Sequence, residues 1–452
     1  MSHHVNFNDL PQGGEKFEPA KGGKLIGTLG LFGGLGFLAS LWFFFKNTDT
    51  FAYSWLFAVF FCFTFVVGGC FWILLHSASN SSWGVAVRRL WENLANMVIP
   101  LAILSSPLLL PAVQTPLYEW MNHHRDAAQI AKAENISVKK ALHHMVEHGG
   151  EVERDGKKVH LEPNPHLHVL VTKFGYMNLN PTGFSWYTRF FAYFLVLWFI
   201  ASTLRGKSLK QEQDGDIKHT IWSRQFSCIV LLPFALTVTF AAYDWLVGLD
   251  YSWFSTMWGV YIFAGCAWAS MAVSILVVTW LRGLGYLQKV VTDEHYHLMG
   301  KLLFAFTVFW AYIAFSQYFL IWYANITEET RFYLIRNTEG WQAVSIFILL
   351  GHFIVPFLFL LSQKRKKNPV VISLGCLWIL FMHLVDIYWN VIPERGPSLG
   401  VGVVVPYAWI QDIAAFCAVF GIMGFLYLRG LAKYSLYPWR DPRLIESVNV
   451  IN

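Results

Sequence analysis

Ten stretches of this 452-residue chain stay apolar over the length that a helix needs to cross about 30 Å of hydrocarbon, roughly 20 residues. They fall at about 25–45, 52–75, 93–113, 184–204, 226–247, 254–281, 300–325, 341–362, 370–392 and 406–428. Polar segments between them are short, with one exception at 114–183. The pattern predicts an all-α integral membrane protein of about ten transmembrane helices. Its segments are a tail at 1–24, spans one to three over 25–113, a His-rich loop at 114–183, spans four to ten over 184–428, and a closing tail at 429–452.

Composition agrees with that pattern and excludes a water-exposed globule. Charged residues make up only 14% of the chain, against about 25% in soluble domains. Aromatic residues reach 17%, which suits rings at bilayer interfaces. The net charge of +6 does not indicate nucleic acid, because the basic residues are scattered among loops. Sorted by side, they give an orientation. An even number of spans puts both termini on one side, which holds 21 Lys and Arg against 13. Eight of those 13 sit in the long loop, where the positive-inside rule weakens, leaving 21 against 5. Both termini are therefore expected in the cytoplasm, with Lys364-Arg365-Lys366-Lys367 as the strongest anchor. Residues 1–24 are polar and no cleavage site follows, so no cleavable signal is expected.

Cys62, Cys70, Cys228, Cys266, Cys376 and Cys417 each lie in an apolar run, and none forms a C-x-x-C pair. Buried core thiols are expected, with no ligands for iron–sulfur clusters, structural zinc or covalent haem. In the long loop, Val138, Ala141, Leu142, Met145 and Val146 share one helical face, with Ser137 as N-cap and Gly149-Gly150 as a stop. The loop also holds His123, His124, His143, His144, His148, His160, His166 and His168. His144 and His148 would share a helix face and His166 and His168 a strand face. A zinc site would need them to converge, but no spacing matches a metal motif. The expectation is a solvated or partner-facing loop and no metal.

Ionisable and amide groups inside spans carry the most information, because each costs about 2.5–3.5 kcal/mol unless satisfied. They are Asp244, Gln317, His352, His383, Asp386, Gln411 and Asp412, with Arg189 opening the fourth span. At 1.5 Å per residue from the periplasmic ends, Asp244 lies about 5 Å deep, Asp386 and Asp412 about 9 Å, Gln317 about 12 Å, His383 about 14 Å and His352 about 16 Å. All occupy the outer half, while His76 and Glu92 mark the cytoplasmic edge. His383 and Asp386 stand at i, i+3, and a carboxylate beside an imidazole can hold and pass a proton near neutral pH. Three readings are open. The groups are hydrogen-bonded glue between helices; or they form a proton-carrying half-channel, with Asp386 and His383 as relay and His352, Gln317, Asp244 and Asp412 completing it; or His352 and His383, at similar depth on adjacent spans, ligate a haem b. An independent transporter is a further alternative. Pro100, Pro107, Pro233 and Pro356 allow kinks, but no pair occupies matching positions in two halves.

A span, a basic loop and a second span occur as 52–113 and again as 254–325, the second members preceded by "RRLWENLANM" and "HLMGKLLFAF". Such a parallel repeat would give two four-helix bundles. The segments "KFGYMNLNPTGFSWYTRFF" (173–191), "WFSTMWGVY" (253–261), "GKLLFAFTVFWAYIAFSQYFLIWYANITEET" (300–330) and "DPRLIES" (441–447) resemble the F subunit of bacterial alternative complex III. That family of quinol:cytochrome c oxidoreductase subunits is related to the polysulfide-reductase NrfD-like membrane proteins. The resemblance covers nearly the whole chain. It implies ten helices, as two four-helix bundles and two flanking helices, in the bacterial inner membrane. It implies as partners a sister NrfD-like subunit, an iron–sulfur subunit, multihaem cytochrome c subunits, a cytochrome oxidase, and lipids. Haem c, iron–sulfur clusters and quinol would belong to those partners, leaving this chain without a redox centre of its own. The family's quinol site uses a His and an Asp in the first bundle of the sister subunit. Here spans three to five carry Asp244 but no histidine, a departure from that pattern. A structural role with proton translocation is what the resemblance leaves to this chain.

Overall fold

The computed structural model describes residues 5–154, 156–180, 183–338, 340–395 and 407–451; the expected start of the tenth span at 406 lies outside them. Ten helices among these residues are long and apolar enough to cross a membrane. Spans 1 to 5 are Gly23–Lys46, Thr48–Ala78, Val85–Leu109, Trp186–Asp214 and Lys218–Leu249. Spans 6 to 10 are Trp258–Gly283, Asp293–Ala324, Trp341–Leu360, Pro369–Glu394 and Ala408–Gly430. The chain is an all-α integral membrane protein.

Several helices run past their apolar stretch. Span 3 begins at Val85 rather than 93 because "VAVRRLWENLA" is itself an amphipathic helix, whose Arg88 and Arg89 pair with Glu92. Span 4 continues ten residues beyond 204, and span 5 starts eight before 226. Prolines set the irregularities. Pro100 has no N–H for the Asn96 carbonyl, and span 3 breaks at Asn96-Met97 before resuming at Val98. In span 8, Pro356 likewise cannot bond the His352 carbonyl, and a π-helical turn occupies Leu349–Ile354.

Span 2 is the axis of the molecule. Every residue from Thr50 to Leu74 is buried, as expected of a helix apolar all round. It packs against spans 3, 4 and 5 in one four-helix bundle and against span 6, which opens a second bundle with spans 7, 8 and 9. Spans 1 and 10 flank these as a tightly crossed pair. Small residues permit that crossing. A Cβ on Gly36 would lie 2.5 Å from the Ala418 nitrogen, and one on Gly421 would lie 2.6 Å from the Gly33 nitrogen. Close backbone approach of this kind drives helix association where lipid removes the hydrophobic force. Outward-facing Leu31, Leu38, Leu195, Ile229 and Phe315 meet the hydrocarbon.

Both tails meet at one end, as an even number of spans requires. Val5 and Asn449 exchange hydrogen bonds of 2.9 and 2.8 Å, and Lys16 pairs with Ser435 as an isolated bridge. This is the tail end, and the opposite side is the loop end. The long loop folds on itself at the loop end. Helices cover Glu119–Glu134 and Val138–Glu147, the latter capped by Ser137 and stopped at Gly149, whose φ of 72° suits glycine. A hairpin of β1 (Gly150–Arg154) and β2 (Lys157–Leu161) follows. His166 and His168 do not share a strand: they lie in a 3-10 turn and at the start of a helix, because Pro165 initiates that turn. Cys62, Cys70, Cys266 and Cys376 are buried, but Cys417 is only half-buried and Cys228 is exposed on the outer face of span 5, against the expectation of core thiols.

Candidate functional site

One cluster gathers titratable side chains from two spans. Span 9 supplies His383 and Asp386, one helical turn apart, and the π-turn of span 8 supplies His352. One ligand atom from each of the three lies within 4.8 Å of the others, and all three residues are buried. The second bundle and span 2 build the walls. Tyr261 of span 6 donates its hydroxyl to Asp386 Oδ1, and Asn390 Nδ2 approaches the same oxygen at 3.3 Å. His352 Nε2 stands 3.9 Å from Asp386 Oδ2, beyond direct hydrogen-bond range. The indoles of Trp268 and Trp310 stack on the His352 ring at 4.2 and 3.7 Å. At those separations they must occupy opposite faces.

His383 reaches span 2, its Nε2 lying 2.9 Å from Thr64 Oγ1. The Thr64 hydroxyl donates its one proton to the Phe61 carbonyl at 2.6 Å. The imidazole must therefore donate, which fixes the proton on Nε2 and leaves Nδ1 as an acceptor. Gly265 makes room for this ring, since a Cβ there would lie 3.0 Å from His383 Cε1. Among the described residues, His383 Nδ1 and both ring nitrogens of His352 are buried without a hydrogen-bond partner. An unmade bond to a buried polar atom costs about 1–3 kcal/mol.

Two imidazoles and a carboxylate are also a donor set for zinc or iron(II). Charge favours a proton. A divalent cation facing one carboxylate would leave net positive charge in the bilayer core, whereas a proton neutralises Asp386.

The other expected residues lie apart. Asp244 belongs to the first bundle, held by Arg189 through bonds of 2.8 and 2.7 Å and by the Tyr193 hydroxyl. Asp412 ties span 10 to Ser54 at 2.6 Å, Tyr388 at 2.8 Å and Arg395 at 3.0 Å. Gln317 accepts from Ser255 at 2.7 Å. At the tail end, Glu92 pairs with Arg88 and Arg89, and His76 stacks on Trp91 at 4.6 Å with both ring nitrogens unpartnered. Among the described residues, the outer-half groups thus fall into three hydrogen-bonded clusters plus one pair.

Several residues absent from the sequence reading complete the picture. Arg336 is fully buried at the loop end and donates to Glu394 Oε1 and to the carbonyls of Trp389 and Asn390, all within 3.0 Å. Asn390 connects this pair to Asp386, making a polar track from the cluster to the loop end. Toward the tail end, the hydroxyls of Ser270 and Ser274 line span 6. They accept the indole N–H groups of Trp72 and Trp91, so this half is closed by aromatic rings. Arg336 could have been suspected as one of two arginines, with Arg331, in the short connection between spans 7 and 8; Tyr261 and Thr64 carry no signal in an aromatic, hydroxyl-rich run.

No protein-family model matches the chain, and no curated protein matches it.

Proposed function

We propose that the chain is a membrane subunit of a respiratory quinol:cytochrome c oxidoreductase of the alternative complex III type, and that its second bundle carries protons. The observation that carries the proton role is the meeting of Asp386, His352 and His383, all three buried, with three imidazole nitrogens unpartnered among the described residues. Asp386 is the carrier. Tyr261 and Asn390 stabilise its charged form, and the His352 ring closes the 3.9 Å gap by rotation or through one water when a proton passes. His383, locked by Thr64 with Nδ1 open, is the acceptor on the span 2 side. Release passes from Asp386 to Glu394 through water beside Asn390 and Arg336, whose donor groups keep that track polar without taking up the proton themselves.

His76 and Glu92 stand at the opposite mouth, and passage between them and His383 needs movement of Trp72 or Trp91 away from Ser270 and Ser274. Asp244 and Asp412, held by arginines, serve as interhelical clamps in this reading. With both termini in the cytoplasm of a bacterial inner membrane, release is periplasmic. Electrons travel through partner subunits bearing haem c and iron–sulfur clusters, quinol binds the sister NrfD-like subunit, and a cytochrome oxidase accepts downstream.

Purification from native membranes in mild detergent tests the assignment. The chain is expected to co-purify with c-type haem absorbance; isolation as a lone chain without it would remove the complex from the proposal. A haem b band in the chain alone would favour a haem-bearing quinol dehydrogenase anchor.

A further inference from the structure

The tail end carries a second site unrelated to the proton cluster. A groove of about 750 Å³ opens on the outer face of span 5 against the C-terminal segment, within the ligand-sized range of roughly 300–1,000 Å³. Its apolar wall is Ile221, Cys228 and Ile229, all outward-facing, with Ile229 73% exposed. Its polar end holds two guanidinium groups, Arg224 and Arg443. Arg224 is exposed, two residues before the apolar stretch of its span.

The nearby carboxylates are engaged away from the groove: Asp441, Glu92 and Glu212 form ion pairs with Arg88 and Arg89. Among the described residues no carboxylate lies within ion-pair distance of Arg224. Arg443 is anchored through Nη1 to the carbonyl and side-chain oxygens of Asn80, at 2.8 and 2.7 Å, while its Nε is buried without a partner. Burial, with Arg88 and Arg224 nearby and Asp441 and Glu446 opposing, pushes its guanidinium down from its ordinary value. Two like charges beside an apolar wall call for an anion with an apolar extension. A phosphodiester meets guanidinium forks with parallel N–H···O bonds, and basic pockets between helices on the cytoplasmic side suit anionic headgroups.

We propose that this groove binds an anionic phospholipid, its phosphate between Arg224 and Arg443 and an acyl chain along Ile221 and Ile229. The bound lipid fastens the C-terminal segment to span 5. Free phosphate would share the arginines but gain nothing from the apolar wall.

Native mass spectrometry of the delipidated protein, titrated with phosphatidylglycerol, phosphatidylcholine or inorganic phosphate, tests this. Labelling of Cys228 by a maleimide gives a parallel readout, since the lipid covers that thiol. Phosphatidylglycerol is expected to bind in preference to phosphatidylcholine and to slow labelling. Arg224→Gln, an exposed change that leaves the Asn80 anchor intact, should weaken it roughly fivefold, and Arg443→Gln by at least as much. Equal binding of the two lipids, or binding and protection unchanged in Arg224→Gln, would overturn the site. Protection by inorganic phosphate alone would reassign it to a free anion. None of these outcomes depends on the proton role.

Discussion

Arg189→Met probes the first bundle, where Asp244 would otherwise be counted among proton carriers. Arg189 makes two bonds to Asp244, at 2.8 and 2.7 Å, and two more to the carbonyls of Tyr176 and Phe184, at 2.8 and 2.9 Å. Its guanidinium also stacks over Tyr176 at 3.9 Å. Among the described residues the substitution leaves the buried Asp244 carboxylate with the Tyr193 hydroxyl as its donor, and breaking such a pair from one side costs about 3–5 kcal/mol. Each kcal/mol moves the midpoint by roughly 2–4 °C in chains of 150–250 residues, and by less in longer ones. At an unfolding entropy of about 2.1 cal/mol/K per residue, a fall of about 3–5 °C is therefore expected. The chain provides its own reporter: Cys62, Cys70, Cys266 and Cys376 are buried and become reactive to a thiol-sensitive fluorogen on unfolding, while Cys228 labels at the start. Arg189→Met combined with Asp244→Leu removes both charges and should recover most of the loss, since replacing a whole pair by apolar groups is often neutral. The double variant should also keep wild-type proton coupling. Additive losses in the double variant, or a drop below 1 °C in the single one, would refute the clamp.

Two further perturbations separate geometry from titration. Gly265→Val places a branched side chain where even a Cβ sits 3.0 Å from the His383 ring, so proton coupling should fall although every titratable group remains; unchanged coupling would exclude His383 from the route. In the loop, burial and then Arg125 push the His124 imidazole down to about 4, against about 6.5 unfolded, so the folded loop holds it neutral. Between those values only the unfolded state takes the proton. Stability is thus full above pH 6.5 and declines as pH falls toward 4, by up to about 3 kcal/mol. Exchange at Leu179, whose N–H donates to His124 Nε2 at 3.4 Å, should accelerate at pH 4.5 after correction for intrinsic rates. His124→Gln should remove that dependence.

Ten apolar runs were legible because a span needs about 20 such residues and little else in the chain resembles one. Span ends were not, because "RRLWENL" and the segment from Lys218 are helical yet polar. The loop hairpin was missed, although Asp155-Gly156 is a turn-forming pair flanked by Val152 and Val159. Depth in the bilayer can be counted along a helix, but azimuth cannot, and this merged Asp244, Asp412 and Asp386 into one imagined network. The partners that separate them, Arg189 and Arg395, lie near span ends where arginine reads as an anchor. His383 and Asp386 at i, i+3 needed only helical geometry. Their meeting with His352 needed spans 8 and 9 to be neighbours and Pro356 to force the π-turn.

The proton role of Asp386 is tested most directly by Asp386→Asn in the assembled complex, reconstituted in vesicles, with proton-to-electron stoichiometry measured during quinol oxidation. Asparagine keeps the shape and the Tyr261 contact but cannot carry a proton. The ratio is expected to fall while electron transfer and haem content persist. An unchanged ratio in a normally assembled complex would reduce Asp386, His352 and His383 to packing between helices.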